Sequence, residues 1–198
     1  MRAPRPRSAA GVRRSLVLGL VGLGLLGGCA QGGDDRAFVP GDPAREGIAA
    51  ELDGVDYEVF ITRELNLRDP EDKEYYRGSP APPGSGLYGV FVRACALDDI
   101  KGPVATSGRI KAVDIRGKEY KPRPISPENV FAFREQPLNR GECLPNQASA
   151  TSFGPTGGAM VLFEIPFTDT ENRPFELEIE GEPRPGKPPR IARFELDL

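Results

Sequence analysis

An all-β sandwich of about seven or eight strands is the fold this chain predicts, on three observations. Apolar residues recur with a period of two in successive segments from Tyr57 onward. Gly- and Pro-dense stretches at 78–86, 154–158 and 182–189 separate those segments. No part of this region keeps the 3.6-residue period of a long amphipathic helix, and strands without long helices bury their apolar faces as two packed sheets.

The chain opens with a segment of another kind. Arg2, Arg5, Arg7, Arg13 and Arg14 come first with no acidic residue among them, and an eleven-residue apolar run, Leu16 to Leu26, follows. A basic stretch, a short apolar stretch and small residues before a cut make a secretory signal, whereas a membrane span needs about 20 apolar residues. The sequence Leu26-Gly27-Gly28-Cys29 resembles the lipobox of bacterial lipoproteins. In that family a diacylglyceryl group is attached to the cysteine sulfur, and cleavage leaves the cysteine first in the mature chain. The resemblance implies that residues 1–28 are removed and that Cys29 is the lipid attachment point. It places the protein at the cell membrane, lipid-anchored on the extracytoplasmic face, with the membrane itself as one partner. Arg13-Arg14 followed by Ser15-Leu16-Val17 partly resembles a twin-arginine export signal.

Residues 29–52 are expected to be the lipidated cysteine and a flexible linker. They are rich in Gly, Pro and Asp, with little to bury, and Ala44 to Leu52 has room for one helical turn. The sandwich domain is expected over 53–198. Tyr57, Val59 and Ile61 alternate with Glu58, Phe60 and Thr62; Leu87 to Leu97 is apolar on nearly every residue and reads as a central strand. Arg109 to Ile115, a turn at Gly117, and Tyr120 read as strand, turn, strand. Ser126-Pro127-Glu128 has the cap and first-turn residues of one short helix. Val161, Phe163 and Ile165 share one face; so do Phe175, Leu177 and Ile179, and then Ala192, Phe194, Leu196 and Leu198.

Four of these segments recur in order: Leu87–Leu97, Ile115–Tyr120, Gly154–Pro166, and the closing strand to Leu198. Together they resemble the immunoglobulin-like (telokin-like) domain of uncharacterised secreted bacterial lipoproteins, over residues 55–198. The resemblance implies an immunoglobulin-like β-sandwich with no shared catalytic residues, and, by association, roles such as binding other envelope components or excluding phage.

Charge and chemistry narrow the function. The first 28 residues hold five of the 26 basic residues and none of the 29 acidic ones, so the remaining 170 carry 21 basic against 29 acidic residues, a net charge of −8. That balance disfavours nucleic acid. There is no histidine, which removes Ser-His-Asp and Cys-His nucleophiles and His-ligated zinc. No phosphate loop or dinucleotide fingerprint is present, so no cofactor and no metal are expected. Asp69-Pro70-Glu71-Asp72-Lys73-Glu74 lacks the spacing of a calcium loop and reads as a solvated acidic loop. If Cys29 carries lipid, Cys95 and Cys143 form an even pair, and export makes a disulfide their expected state, with two buried free thiols as the alternative. Phe60, Phe91, Phe163, Phe175 and Phe194 fall on strands and read as core. Tyr75, Tyr76, Phe131, Phe133 and Phe153 lie in or beside long connections, where they either anchor loops or form a contact surface.

The expectation is therefore a non-catalytic, lipid-anchored binding or interaction domain, its partner a protein or another envelope component. An envelope assembly or structural factor for another exported protein is the alternative. A third class, an enzyme acting on cell-wall sugar, would have carboxylates alone to work with.

Overall fold

The computed structural model describes residues 42–153 and 156–198, apart from the side chains of Ala150 and Phe153. The predicted signal, Cys29 and most of the linker lie outside these residues. In chain order the first elements are β1 (Ala44–Arg45), β2 (Ala49–Leu52), β3 (Val55–Glu64), α1 (Pro70–Tyr75), β4 (Ser85–Ala96), β5 (Val104–Ala105) and β6 (Ile110–Asp114). Then follow β7 (Glu119–Tyr120), β8 (Pro137–Leu138), β9 (Cys143–Leu144), α2 (Ala150–Phe153), β10 (Ala159–Pro166), β11 (Phe175–Glu180) and β12 (Ile191–Leu196). Seven of the described strands have four residues or more. The fold is an all-β sandwich.

One sheet has the order β1-β12-β11-β6-β7; the other has β10-β4-β3-β2, with β9 pairing to β4 beyond the end of β10. Between them lies the main core: Tyr57, Val59, Val90, Val92, Phe163 and Ile165 from the second sheet meet Ala112, Phe175, Leu177, Ile179, Phe194 and Leu196 from the first. The period-two faces at β10, β11 and β12 follow from this packing, since every second side chain points into it. On the far side of the first sheet, Lys111 pairs with Glu119 at 2.5 Å and Arg193 with Glu178 at 2.9 Å. That ionic ladder keeps the outer face solvated. Strand β4 sits mid-sheet and is buried on both faces, as a continuous apolar run requires.

The linker boundary expected at residue 52 moves. Ala44–Leu52 forms β1 and β2, whose Ala44, Ala50 and Leu52 enter the main core. This stretch starts in the first sheet and ends in the second. The hairpin from β2 to β3 turns on Asp53-Gly54, both with positive φ (53° and 84°), the backbone of a two-residue type I′ turn. On the opposite side the chain does the same. Tyr120 belongs to the first sheet, and three residues later the Arg123 N–H donates to the Leu162 carbonyl of β10 at 2.6 Å. The Met160 N–H then donates to Phe131 (2.5 Å) and the Phe133 N–H to Met160 (2.8 Å). Both lateral rims of the sandwich are thus crossed by a segment shared between the sheets.

Three further expectations are corrected. Phe60 is 42% exposed, because the β3–β4 register shifts between Val59 and Ile61. Such a bulge inverts the alternation beyond it; Thr62 turns inward and Ile61 packs on the outer side of the sheet. The acidic run at 69–74 is a helix: Asp69 caps α1 by accepting the Glu71 N–H at 2.9 Å, with Pro70 in the first turn. Ser126–Asn129 makes a single turn where a helix was expected. Arg134 donates to the carbonyls of Ser126 (2.9 Å) and Pro127 (2.8 Å), and the chain straightens to bond β10.

Candidate functional site

The outer face of the second sheet carries the features that a partner would meet. Its lower half is covered by a second, smaller core in which Leu65, Tyr75, Tyr76, Leu87, Phe91, Met160 and Leu162 are buried. Helix α1 is fixed to this face by electrostatics as well as packing. Asp72, 3% exposed, accepts the Asn66 N–H at 2.8 Å and pairs with Arg63 Nε at 2.7 Å. Arg63 also pairs with Glu71 at 3.1 Å and lies 5.9 Å from the Tyr75 ring centroid. Burial by itself would lower the Arg63 pKa, but Asp72 and Glu71 outweigh it and raise it. Burial, with the Glu71 carboxylate adding to it, raises the pKa of the Tyr75 hydroxyl.

The aromatic set expected as a contact surface is therefore anchoring structure for the most part. Tyr75 and Tyr76 are 5% and 6% exposed, and Tyr75 meets Phe91 and Phe131 edge-on with centroids 5.2 and 5.1 Å apart. Phe131 packs on the second core and Phe133 on the main core. Phe153 ends α2, and its side chain falls outside the described part. Rings in long connections are the groups available to hold those connections down.

Anchoring them nevertheless creates a surface. Between the chain leaving α1 and the segment 124–131 runs an open groove of about 610 Å³. Its apolar lining is Tyr76, Ile125, Val130 and Phe131, with Glu74, Arg77 and Glu128 along its borders. Gly78 lets the chain pass the Tyr76 ring, since a Cβ there would fall 2.3 Å from it. Asn129 fixes the opposite wall by donating its side-chain N–H to the Tyr75 carbonyl at 2.8 Å. The borders are self-satisfied: Arg77 pairs with Glu74 at 2.9 Å, and the Ser126 hydroxyl bonds Glu128 and holds its carboxyl below the usual range. Val130 is 75% exposed. The arrangement is an open groove with an apolar lining and charged borders.

The upper half of the same face bears Cys95 and Cys143, directly opposed in the β4–β9 pairing and joined as a disulfide. They border a cleft of about 550 Å³ with Arg93, Gln147 and Ser152. Among the described residues no group of His, Cys, Asp and Glu is placed to hold a metal ion, and no helix is long and apolar enough to cross a membrane. The expected lipid site, Cys29, lies outside the described residues. Sequence reasoning missed Ile125 and Val130, which are single apolar residues among Pro, Ser, Asn and Glu and carry no periodicity.

No family model matches the chain, and no curated protein does. Among solved structures it is similar to the YjhA protein from Bacillus subtilis, with a TM-score of 0.46 and 8% sequence identity, over 78% of this chain and 99% of that one.

Proposed function

We propose that this protein is a lipid-anchored, extracytoplasmic binding module that holds an apolar segment of a partner protein or envelope component in the groove beside Val130. The observation that carries the binding role is a 610 Å³ groove with an apolar lining in which a valine, Val130, is 75% exposed, in a chain without histidine. Apolar side chains left uncovered at a groove mark contact sites. The location rests on Leu26-Gly27-Gly28-Cys29 behind a basic and an apolar stretch. The Cys95–Cys143 pair supports it, because such bonds persist outside the reducing cytosol.

Two experiments test the two halves. Cys29→Ala should abolish incorporation of labelled palmitate and release the protein from the membrane fraction; unchanged attachment rules out the anchor. A photo-crosslinking residue at position 130 should give a discrete adduct in intact cells, one at Ile191 on the opposite sheet should not, and Ile125→Glu should remove the first. Equal adducts from both positions rule out the groove. One dominant exported protein among the adducts would identify the module as an assembly factor for it.

A further inference from the structure

Between the end of α1 and the start of β4 the chain reads Arg77-Gly78-Ser79-Pro80-Ala81-Pro82-Pro83-Gly84. Proline fixes φ at about −65° at three of these positions, and a residue that precedes proline is pushed to extended backbone. Residues 79–83 are thereby driven to the left-handed polyproline II helix, which makes no internal hydrogen bonds. Among the described residues the backbone of 78–81 makes none with other segments either, so its carbonyls are free to accept.

Polyproline II has three residues per turn, and its side chains stand in three ridges. Gly78 and Ala81 share the ridge turned to the body: Gly78 passes the Tyr76 ring and Ala81 packs against the second core. Pro80 and Pro83 share the next ridge, with Arg77 three residues ahead in the same register, and all three are exposed. The pairing of Arg77 with Glu74 does not withdraw it. Those side chains are 71% and 65% exposed, and a pair so open to water is weak.

Both ends of the segment are held. Helix α1 precedes it, and the Ser85 N–H donates to the Pro82 carbonyl at 3.1 Å around Pro83 and Gly84, whose φ is 89°. A proline followed by a positive-φ glycine is the type II turn, which leaves Pro83 extended. The other proline-dense stretch, 182–189, is shaped differently. There the Lys187 N–H donates to the Arg184 carbonyl and Gly186 has a φ of 69°, so the chain doubles back and offers no straight ridge.

We propose that residues 77–83 are a presented polyproline ligand, taken by a protein domain whose aromatic rings form slots for Pro80 and Pro83 and whose carboxylate meets Arg77. Such domains exploit a helix that is already formed, so little ordering is needed on binding. Arginine and carboxylate add a charge-assisted bond that fixes direction. The segment shares Arg77 with the border of the groove and does not depend on the groove holding anything.

The first test uses the full chain and, as probe, an SH3 domain chosen to bind a synthetic peptide of residues 76–84. The folded chain should bind at least as tightly as that peptide; binding more than about tenfold weaker shows a hidden ridge and overturns the proposal. Pro80→Ala, Pro83→Ala and Arg77→Glu should each weaken binding by about tenfold. Arg77→Glu changes an exposed side chain alone, and undiminished binding by it and the proline variants overturns the proposal. In intact cells, a photo-crosslinking residue at Ser79 should give a discrete adduct that Pro80→Ala with Pro83→Ala removes and Ile125→Glu leaves in place. Mass spectrometry should map it to another protein, on a peptide that carries Tyr, Trp or Phe together with Asp or Glu. No adduct, one to lipid or to a second copy of this chain, or one lost with Ile125→Glu overturns the proposal.

Discussion

Asp114 offers the most direct test of what holds the lower end of the sandwich together. Its carboxyl is 4% exposed at the end of β6. It accepts the backbone N–H groups of Arg116 (2.9 Å) and Lys118 (2.8 Å) and the side-chain N–H of Asn172 (3.2 Å), with the Tyr120 hydroxyl 3.4 Å away. Asp114→Ala removes every one of those acceptors at once. A buried donor left unsatisfied costs about 1–3 kcal/mol; the two turn amides gain some water because Arg116 and Lys118 are exposed, which brings the expected total to about 3 kcal/mol. Asp114→Asn keeps one acceptor oxygen for the turn and should cost about half as much. The pH dependence follows from the same contacts. Burial alone would raise the Asp114 pKa, but the bonds from Lys118, Asn172, Arg116 and Tyr120 outweigh it and hold the carboxyl below its ordinary value. A depressed folded pKa means that the stabilisation is complete above the unfolded value of about 3.9 and is lost as pH falls through the folded one. Urea unfolding of wild type and Asp114→Asn should therefore show a gap at neutral pH that narrows below about pH 4. A gap that does not change with pH, or a loss under about 0.5 kcal/mol for Asp114→Ala, refutes this reasoning.

Other expectations concern the upper end and the export signal. Gly158→Ala should lower the melting temperature markedly, by about 2 kcal/mol or more of stability, because a Cβ there falls 2.8 Å from the backbone of Phe91 and Val92; an unchanged thermal transition contradicts that close approach. Asp53 accepts the Glu182 N–H at 2.7 Å and pairs with Arg190, tying the β2–β3 turn to the β11–β12 connection. Asp53→Ala should cost about 1–2 kcal/mol in urea unfolding, from lost bonds and from its positive φ, and Asp53→Asn less. Replacing Arg13 and Arg14 by Lys should stop export if the twin-arginine route is used, and leave it intact under general secretion; signal cleavage in pulse-labelled cells distinguishes the two.

Much of the fold is legible where one physical rule acts alone. Strands β11 and β12 alternate because each has one face in the main core, and β4 and most of β10 are apolar throughout because both their faces are covered. The β2–β3 hairpin was equally readable: Asp53-Gly54 is the residue pair that a type I′ turn favours, but Ala-rich β2 has too few large side chains to announce a strand. Helix α1 likewise carried its signal in Asp69-Pro70, masked by the acidic run that follows. Phe60 was not readable, since a bulge is decided by how β3 meets β4. The groove is less legible still. It exists because residues 124–131 cross near the end of α1, and neither stretch encodes that meeting by itself.

The shared segments at both rims have a consequence for crowding. Proteins held close together on a surface zip up through unpaired strand rims, which offer rows of free amides and carbonyls to a neighbour. Here the long rim strand, β10, is already bonded at Met160 and Leu162, and the rims at β1, β2 and β7 are two to four residues long. Many copies can stand side by side without templating one another into fibres, so the molecule's sociability is confined to its side chains.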